Sequence, residues 1–341
     1  MEPLPLDSAR FIVAHASHVQ IKPDCLEIIS NQVAQAVADK TFVSGNWASS
    51  ELNPKRWDER AADWIFIVDL LNFSFWSDTN VRYEVLYKGK SYTGYWSLCA
   101  AINRALEDGC NMLDPRTYQN ISESELKHIF RSCTSTEIPL FDERLQLLHQ
   151  AGKCLVEKFD GSFANVVKAC SNSAMKLISL VLDNFPSFRD TAVYHDQPVS
   201  FLKRAQILVG DLWSCFGGKD LGEFHDFDKI TAFADYRLPQ VLFHFGLLTY
   251  SEDLLKIIQN GQLIPNGSPF EVEIRGSTIY AIQLIVERVR ELLRNKFNVS
   301  EPVDTLCNAI VVDNYLWTYR RKHADEIDRS IPMHRTRCIF Y

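Results

Sequence analysis

The chain has 341 residues, 46% of them hydrophobic and 23% charged, with a formal net charge of -7. That composition supports a substantial core without disulfides or metals to staple it. The acidic balance argues against gripping a long nucleic acid through its backbone, which needs a Lys/Arg-rich face, but it admits a small anionic ligand held by one or two arginines.

The opening "MEPLPLDSAR" has prolines and an acid where a secretion signal needs a basic and then an apolar run, so secretion is not expected. The nine cysteines include no Cys-x-x-Cys pair and read as reduced thiols of a cytoplasmic or nuclear protein. No uninterrupted apolar run reaches membrane-spanning length.

From Cys25, "CLEIISNQVAQAVAD" spaces its apolar residues as an amphipathic helix does. Residues 64–76, "WIFIVDLLNFSFW", are apolar except for Asp69, Asn72 and Ser74. Buried polar groups are normally satisfied within the fold, so Asp69 is expected to cap or pair internally. Asn72 beside Phe73 has a second possible use, gripping a flat heterocycle by an edge hydrogen bond and stacking. Residues 81–96, "VRYEVLYKGKSYTGYW", alternate around Lys88-Gly89 and predict a β-hairpin.

Helical periodicity returns over 141–159, 172–185, 201–216, 239–250 and 303–320. The stretch 269–277, "PFEVEIRGS", alternates instead and reads as an extended lead-in to a helix beginning near Tyr280. "HDFD" at 225–228 has metal-ligand residue types but reads as a solvated loop, and "GGKDLG" at 217–222 lacks the spacing of a phosphate loop. The fold class is therefore mainly α with a small β-hairpin or short sheet. Residues 1–341 are expected to form a single domain, either undivided or as two helical lobes around a central pocket.

Charge falls at unexpected places in three segments. Lys203 and Arg204, in "SFLKRAQILVGDLW", stand at a helix start, where a cation opposes the helix dipole and needs an anionic partner. "FADYRLPQVL" puts Asp235 and Arg237 between two helical stretches, flanked by Phe233. "AIVVDNYLWTYRR" puts Asp313 one helical turn before Trp317, on a shared face, with Asn314 beside it. In a helix beginning near Val303, Asp313 lies mid-helix among apolar neighbours, which disfavours ionisation and marks a catalytic candidate. A structural ion pair with Arg237 or Lys203 is the plainer alternative.

Taken together, "ADWIFIVDLLNFSFW", "EIPLFDERLQLL", "FPSFRD", "FLKRAQILVGDLW", "FADYRLPQVL", "EVEIRGSTIYAIQ" and "VVDNYLWTYRR" resemble the queuosine salvage protein family, the queuosine 5'-phosphate N-glycosylases. The resemblance covers nearly the whole chain. It implies a hydrolase that splits the N-glycosidic bond of queuosine 5'-monophosphate, releasing queuine for salvage into tRNA and leaving ribose 5-phosphate. It also implies a helical fold similar to helix-hairpin-helix DNA glycosylases, although the Leu-Pro-Gly-Val-Gly hairpin is missing and only "RLPQVL" stands in a loosely similar position.

With that chemistry, Asp313 is expected to stabilise an oxocarbenium-like ribose or to activate water. Asp235 is expected to accept from the base edge, Phe73, Phe233 and Trp317 to stack on the base, and Asn72 and Asn314 to contact the ligand. Lys203 and Arg237 are the candidates for the 5'-phosphate. No metal or cofactor, no membrane and a monomer are expected. A base-excision enzyme acting on intact tRNA and a non-catalytic queuine- or queuosine-binding protein are the competing readings.

Overall fold

In a computed structural model, residues 2–42, 47 and 50–341 are described. The fold is mainly α, with small two-stranded antiparallel sheets. The chain divides into two compact units. Unit 1 takes 1–44, 190–203 and 228–337, and unit 2 takes 45–189, 204–227 and 338–341.

Unit 1 is organised around the helix Pro269–Asn295, against which the helices Pro5–His15, Leu26–Ala38 and Ala309–Lys322 pack. Ile274, Ile282, Ile285 and Val289 of the long helix share one core with Ile29, Val33, Val241, Leu242, Val312 and Leu316. The stretch 269–277 is therefore helical and not the extended lead-in expected from its alternation. Residues 271–279 are buried without interruption. A helix covered on all sides has no polar stripe to reveal its 3.6-residue period. Gly276 permits that enclosure, because a Cβ there would stand 2.7 Å from the Ile12 side chain of the Pro5–His15 helix.

Two further expectations for unit 1 are corrected by chain breaks. The stretch 239–250 is a helix only over Leu238–His244. Gly246, at φ +75°, then turns the chain into strand Leu248–Tyr250, which pairs with Val19–Ile21 in the register Val19↔Tyr250. The stretch 303–320 also divides, into Val303–Leu306 and Ala309–Lys322. Asn308 caps the second helix, its side chain accepting from the Val311 N–H.

Unit 2 contains the predicted hairpin, Glu84–Tyr87 against Lys90–Thr93, and an aromatic core in which Phe66 stacks on Phe163 at 4.4 Å. Its helix Glu59–Leu70 ends inside the protein, so carbonyls left without helical partners need buried donors. Two arginines supply them. Arg204 donates to the Leu70 and Ser187 carbonyls, and Arg144, fully buried, donates to those of Leu71 and Phe73. Asp226 is not the solvated loop residue that "HDFD" suggested. It is 8% exposed and accepts from the Ala174 N–H and the Ser173 hydroxyl at the start of helix Ala174–Asn184.

Candidate active site

Unit 1 gathers most of the sequence candidates around the segment 233–235. Asp313 lies in the second turn of the Ala309–Lys322 helix, not mid-helix, because that helix starts at Ala309. Its side chain is 5% exposed, and Oδ2 accepts from the Phe233 backbone N–H at 2.7 Å. Burial penalises the charged form and pushes the carboxyl up to about 8, with the Asp235 charge adding to the rise. The Phe233 N–H and the Lys203 ammonium draw it back. The carboxyl thus titrates near neutrality, where it can exchange a proton.

Asp235 is half-buried, and its Oδ1 accepts from the N–H groups of Arg237 (2.7 Å) and Leu238 (3.0 Å). It satisfies donors at the start of the Leu238–His244 helix, where Pro239 removes one donor by its own chemistry. Phe233 is 9% exposed. Lys203 opens the helix Lys203–Cys215 and is 7% exposed, with its backbone N–H held by Asp190 Oδ2 at 3.1 Å. Its ammonium acts by charge on the Asp313 carboxyl, which answers the need for an anionic group that its place at a helix start creates.

Trp317 and Asn314 are half-buried on the helix that carries Asp313, and the Arg321 guanidinium lies 5.0 Å from the Trp317 ring centre. Arg237 sits apart in its bonding. It donates to Gln240 Oε1 at 3.1 Å, lies 3.8 Å from Asp328 and stacks over Tyr236, so its side-chain partners are Asp328 and Gln240 in place of Asp235 or Asp313. Arg320 shares that same Asp328 carboxylate.

Asn72 and Phe73 belong to unit 2. Asn72 Nδ2 donates to Asp69 Oδ1 at 3.4 Å, the internal pairing anticipated for Asp69. Phe73 is fully buried, with the Arg144 and Arg204 guanidiniums 4.2 and 5.2 Å from its ring centre. Those contacts make its ring part of the arginine-capped end of the Glu59–Leu70 helix.

Sequence reasoning missed Arg275 and Asp190. Both are nearly unexposed and form a bidentate ion pair at 2.8 and 2.5 Å, with Arg275 Nε donating to the Ala234 carbonyl at 3.1 Å. The usable signal was an arginine and an aspartate inside otherwise core-like runs, at "EIRGS" and "SFRD". Among the described residues, no group of three His, Cys, Asp or Glu side chains converges to hold a metal, and no helix is long and apolar enough to cross a membrane.

Comparison with known proteins matches residues 52–341 to the family described as queuosine salvage protein. A Mus musculus protein named queuosine 5'-phosphate N-glycosylase/hydrolase is 43% identical over 99% of this chain and 98% of its own length. Proteins of the same name from Nematostella vectensis and Schizosaccharomyces pombe are 42% and 38% identical, covering 99% and 98% of this chain and 98% and 99% of their own lengths. The chain belongs to the queuosine salvage protein family.

Proposed function

We propose that this chain hydrolyses the N-glycosidic bond of queuosine 5'-phosphate, the substrate in its relatives' name, with residues 1–341 serving as one salvage domain, as a monomer in the cytoplasm or nucleus. The observation that carries the chemistry is Asp313, a buried carboxyl pushed up to about 8 and oriented by the Phe233 N–H. In this reading the bond between ribose C1' and the base nitrogen breaks with its electron pair leaving on nitrogen. Positive charge develops on the ribose and is stabilised by the Asp313 carboxylate. Water forms the new C1'–O bond and gives up a proton through Asp313, and that proton ends on the base nitrogen.

Asp235, with Oδ1 committed to the backbone, would offer Oδ2 to donors on the base. Phe233 and Trp317 would pack on the base, with Asn314 at the ligand beside them. Lys203 is our first choice for the 5'-phosphate, as the cation whose charge acts on Asp313, while Arg237 binds Asp328 and Gln240. The net charge of -7 favours a nucleotide over intact tRNA as the substrate.

The test is to incubate purified protein separately with queuosine 5'-monophosphate, the unphosphorylated nucleoside and modified tRNA, and to quantify free queuine. Release from the nucleotide is expected. Release from tRNA alone would establish a base-excision enzyme, and no release from any would establish a binding protein. Asp313→Asn is expected to lower kcat by at least about 10²-fold, the scale of losing one preorganised charge at a transition state, while free queuine still binds.

A further inference from the structure

Residues 233–235 are pinned one by one. The Phe233 N–H is held by Asp313, the Ala234 carbonyl by Arg275, and the Asp235 side chain by the first N–H groups of the next helix. Arg275 is 1% exposed, forks onto both oxygens of Asp190, reaches Glu271 at 3.2 Å and lies 4.1 Å from the Phe201 ring centre. Asp190 in turn holds three consecutive N–H groups. Phe201 and Leu202 donate to its carbonyl at 3.0 and 3.3 Å, and Lys203 donates to Oδ2 at 3.1 Å. Leu202 between them is left-handed at φ +51°, a strained conformation for leucine that persists only where its surroundings over-determine it.

One ion pair therefore joins the backbone of the 233–235 segment to the backbone of Lys203. A pair kept for stability alone has no need of these connections, since well-packed apolar residues serve a core as well or better.

We propose that Arg275 and Asp190 are positioning residues of the reaction, holding the 233–235 segment and Lys203 at a fixed spacing around the Asp313 carboxyl. The proposal rests on the role given to Asp313 above. The charged groups acting on Asp313 are Asp235 and Lys203, and Arg275 sets the frame for both. His334, 3% exposed beside Arg275, is held at about 3 chiefly by burial and stays neutral throughout the range of the test.

Arg275→Lys keeps the charge but loses the planar fork that spans Asp190 and Ala234 together. Glu273→Gln is the control. It is equally buried on the same helix, yet Glu273 binds the His18 and Val19 N–H groups and the Tyr194 hydroxyl, none of them in the 233–235 segment. The measurements are kcat and KM on queuosine 5'-monophosphate, and the Asp313 midpoint from infrared difference spectra of each protein against its Asp313→Asn counterpart, a readout that needs no turnover.

Arg275→Lys is expected to lower kcat about tenfold or more with KM changed less than about threefold, the pattern of misalignment at the reacting centre. It is also expected to move the Asp313 midpoint up by about one pH unit, because the Phe233 N–H and Lys203 favour the ionised form and together outweigh the Asp235 charge that opposes them. Glu273→Gln is expected to lower Tm and leave the kcat/KM balance and the midpoint in place. An Arg275→Lys protein with the wild-type midpoint, or a control that moves as far, overturns the proposal. Asp190→Asn carries the same test should Arg275→Lys fail to fold. A shifted midpoint in a protein whose wild type releases no queuine sinks the hydrolase reading and the role in its reaction, but not the frame that Arg275 and Asp190 set around Asp313.

Discussion

Replacing Asp313 with asparagine should stabilise the protein at alkaline pH while destroying its activity. Burial raises this carboxyl from 3.8 to about 8. Between those values the unfolded chain has released the proton and the folded chain retains it, so stability falls as pH rises. Each pH unit costs about 1.4 kcal/mol, which gives about 4 kcal/mol at pH 7 and about 6 above pH 8, with no further loss beyond. Asparagine matches the shape of the protonated acid, can still accept from Phe233 and has no proton to lose, so it removes the slope.

At roughly 1–2 °C per kcal/mol, an extension of the size scaling to this length, Asp313→Asn should melt about 6–12 °C above wild type at pH 8.5 and close to it at pH 4.5. Calorimetry of both proteins across that range reads the effect. Parallel Tm–pH curves would refute a buried, protonated Asp313, and with it the account of how this site is poised.

Asp235→Asn removes the charge that adds to the Asp313 rise, so the ascending limb of kcat/KM against pH, expected near 8 for wild type, should move to lower pH; a limb moving upward contradicts the assigned electrostatics. Lys203→Ala should raise KM for queuosine 5'-monophosphate more than for the nucleoside, and equal effects on both would take Lys203 out of the phosphate site. Arg144→Met strands the Leu71 and Phe73 carbonyls and should cost about 3–5 kcal/mol in denaturant unfolding, a loss that a surface arginine such as Arg10 should not show. Gly276→Ala forces a methyl to within 2.7 Å of Ile12 and should cost about 1–3 kcal/mol, whereas Ile12→Val with it should recover part of the loss.

The helices over 141–159 and 172–185 were legible in the sequence because each shows one face to solvent and one to a core, and the hairpin because strict alternation frames a Lys-Gly turn. The acidic and aromatic candidates at 233–237 and 313–317 were legible too, since charge inside apolar runs needs a reason. Legibility failed where burial was complete. The start of the long helix lost its period when every side was covered, and Arg275, Asp190 and Arg144 looked like incidental charges because their partners are 85 and about 70 residues away in the chain.

The sequence by itself determined a mainly helical, acidic protein, the family to which it belongs and the carboxylates worth weighing, because periodicity, composition and long ordered blocks are local properties of the chain. Only the tertiary structure decided that Asp313 answers to the Phe233 N–H and that Arg237 answers to Asp328. Desolvation, hydrogen bonding and neighbouring charge set what a carboxyl or a guanidinium can do, and each of them depends on distances that exist only once remote segments are packed together.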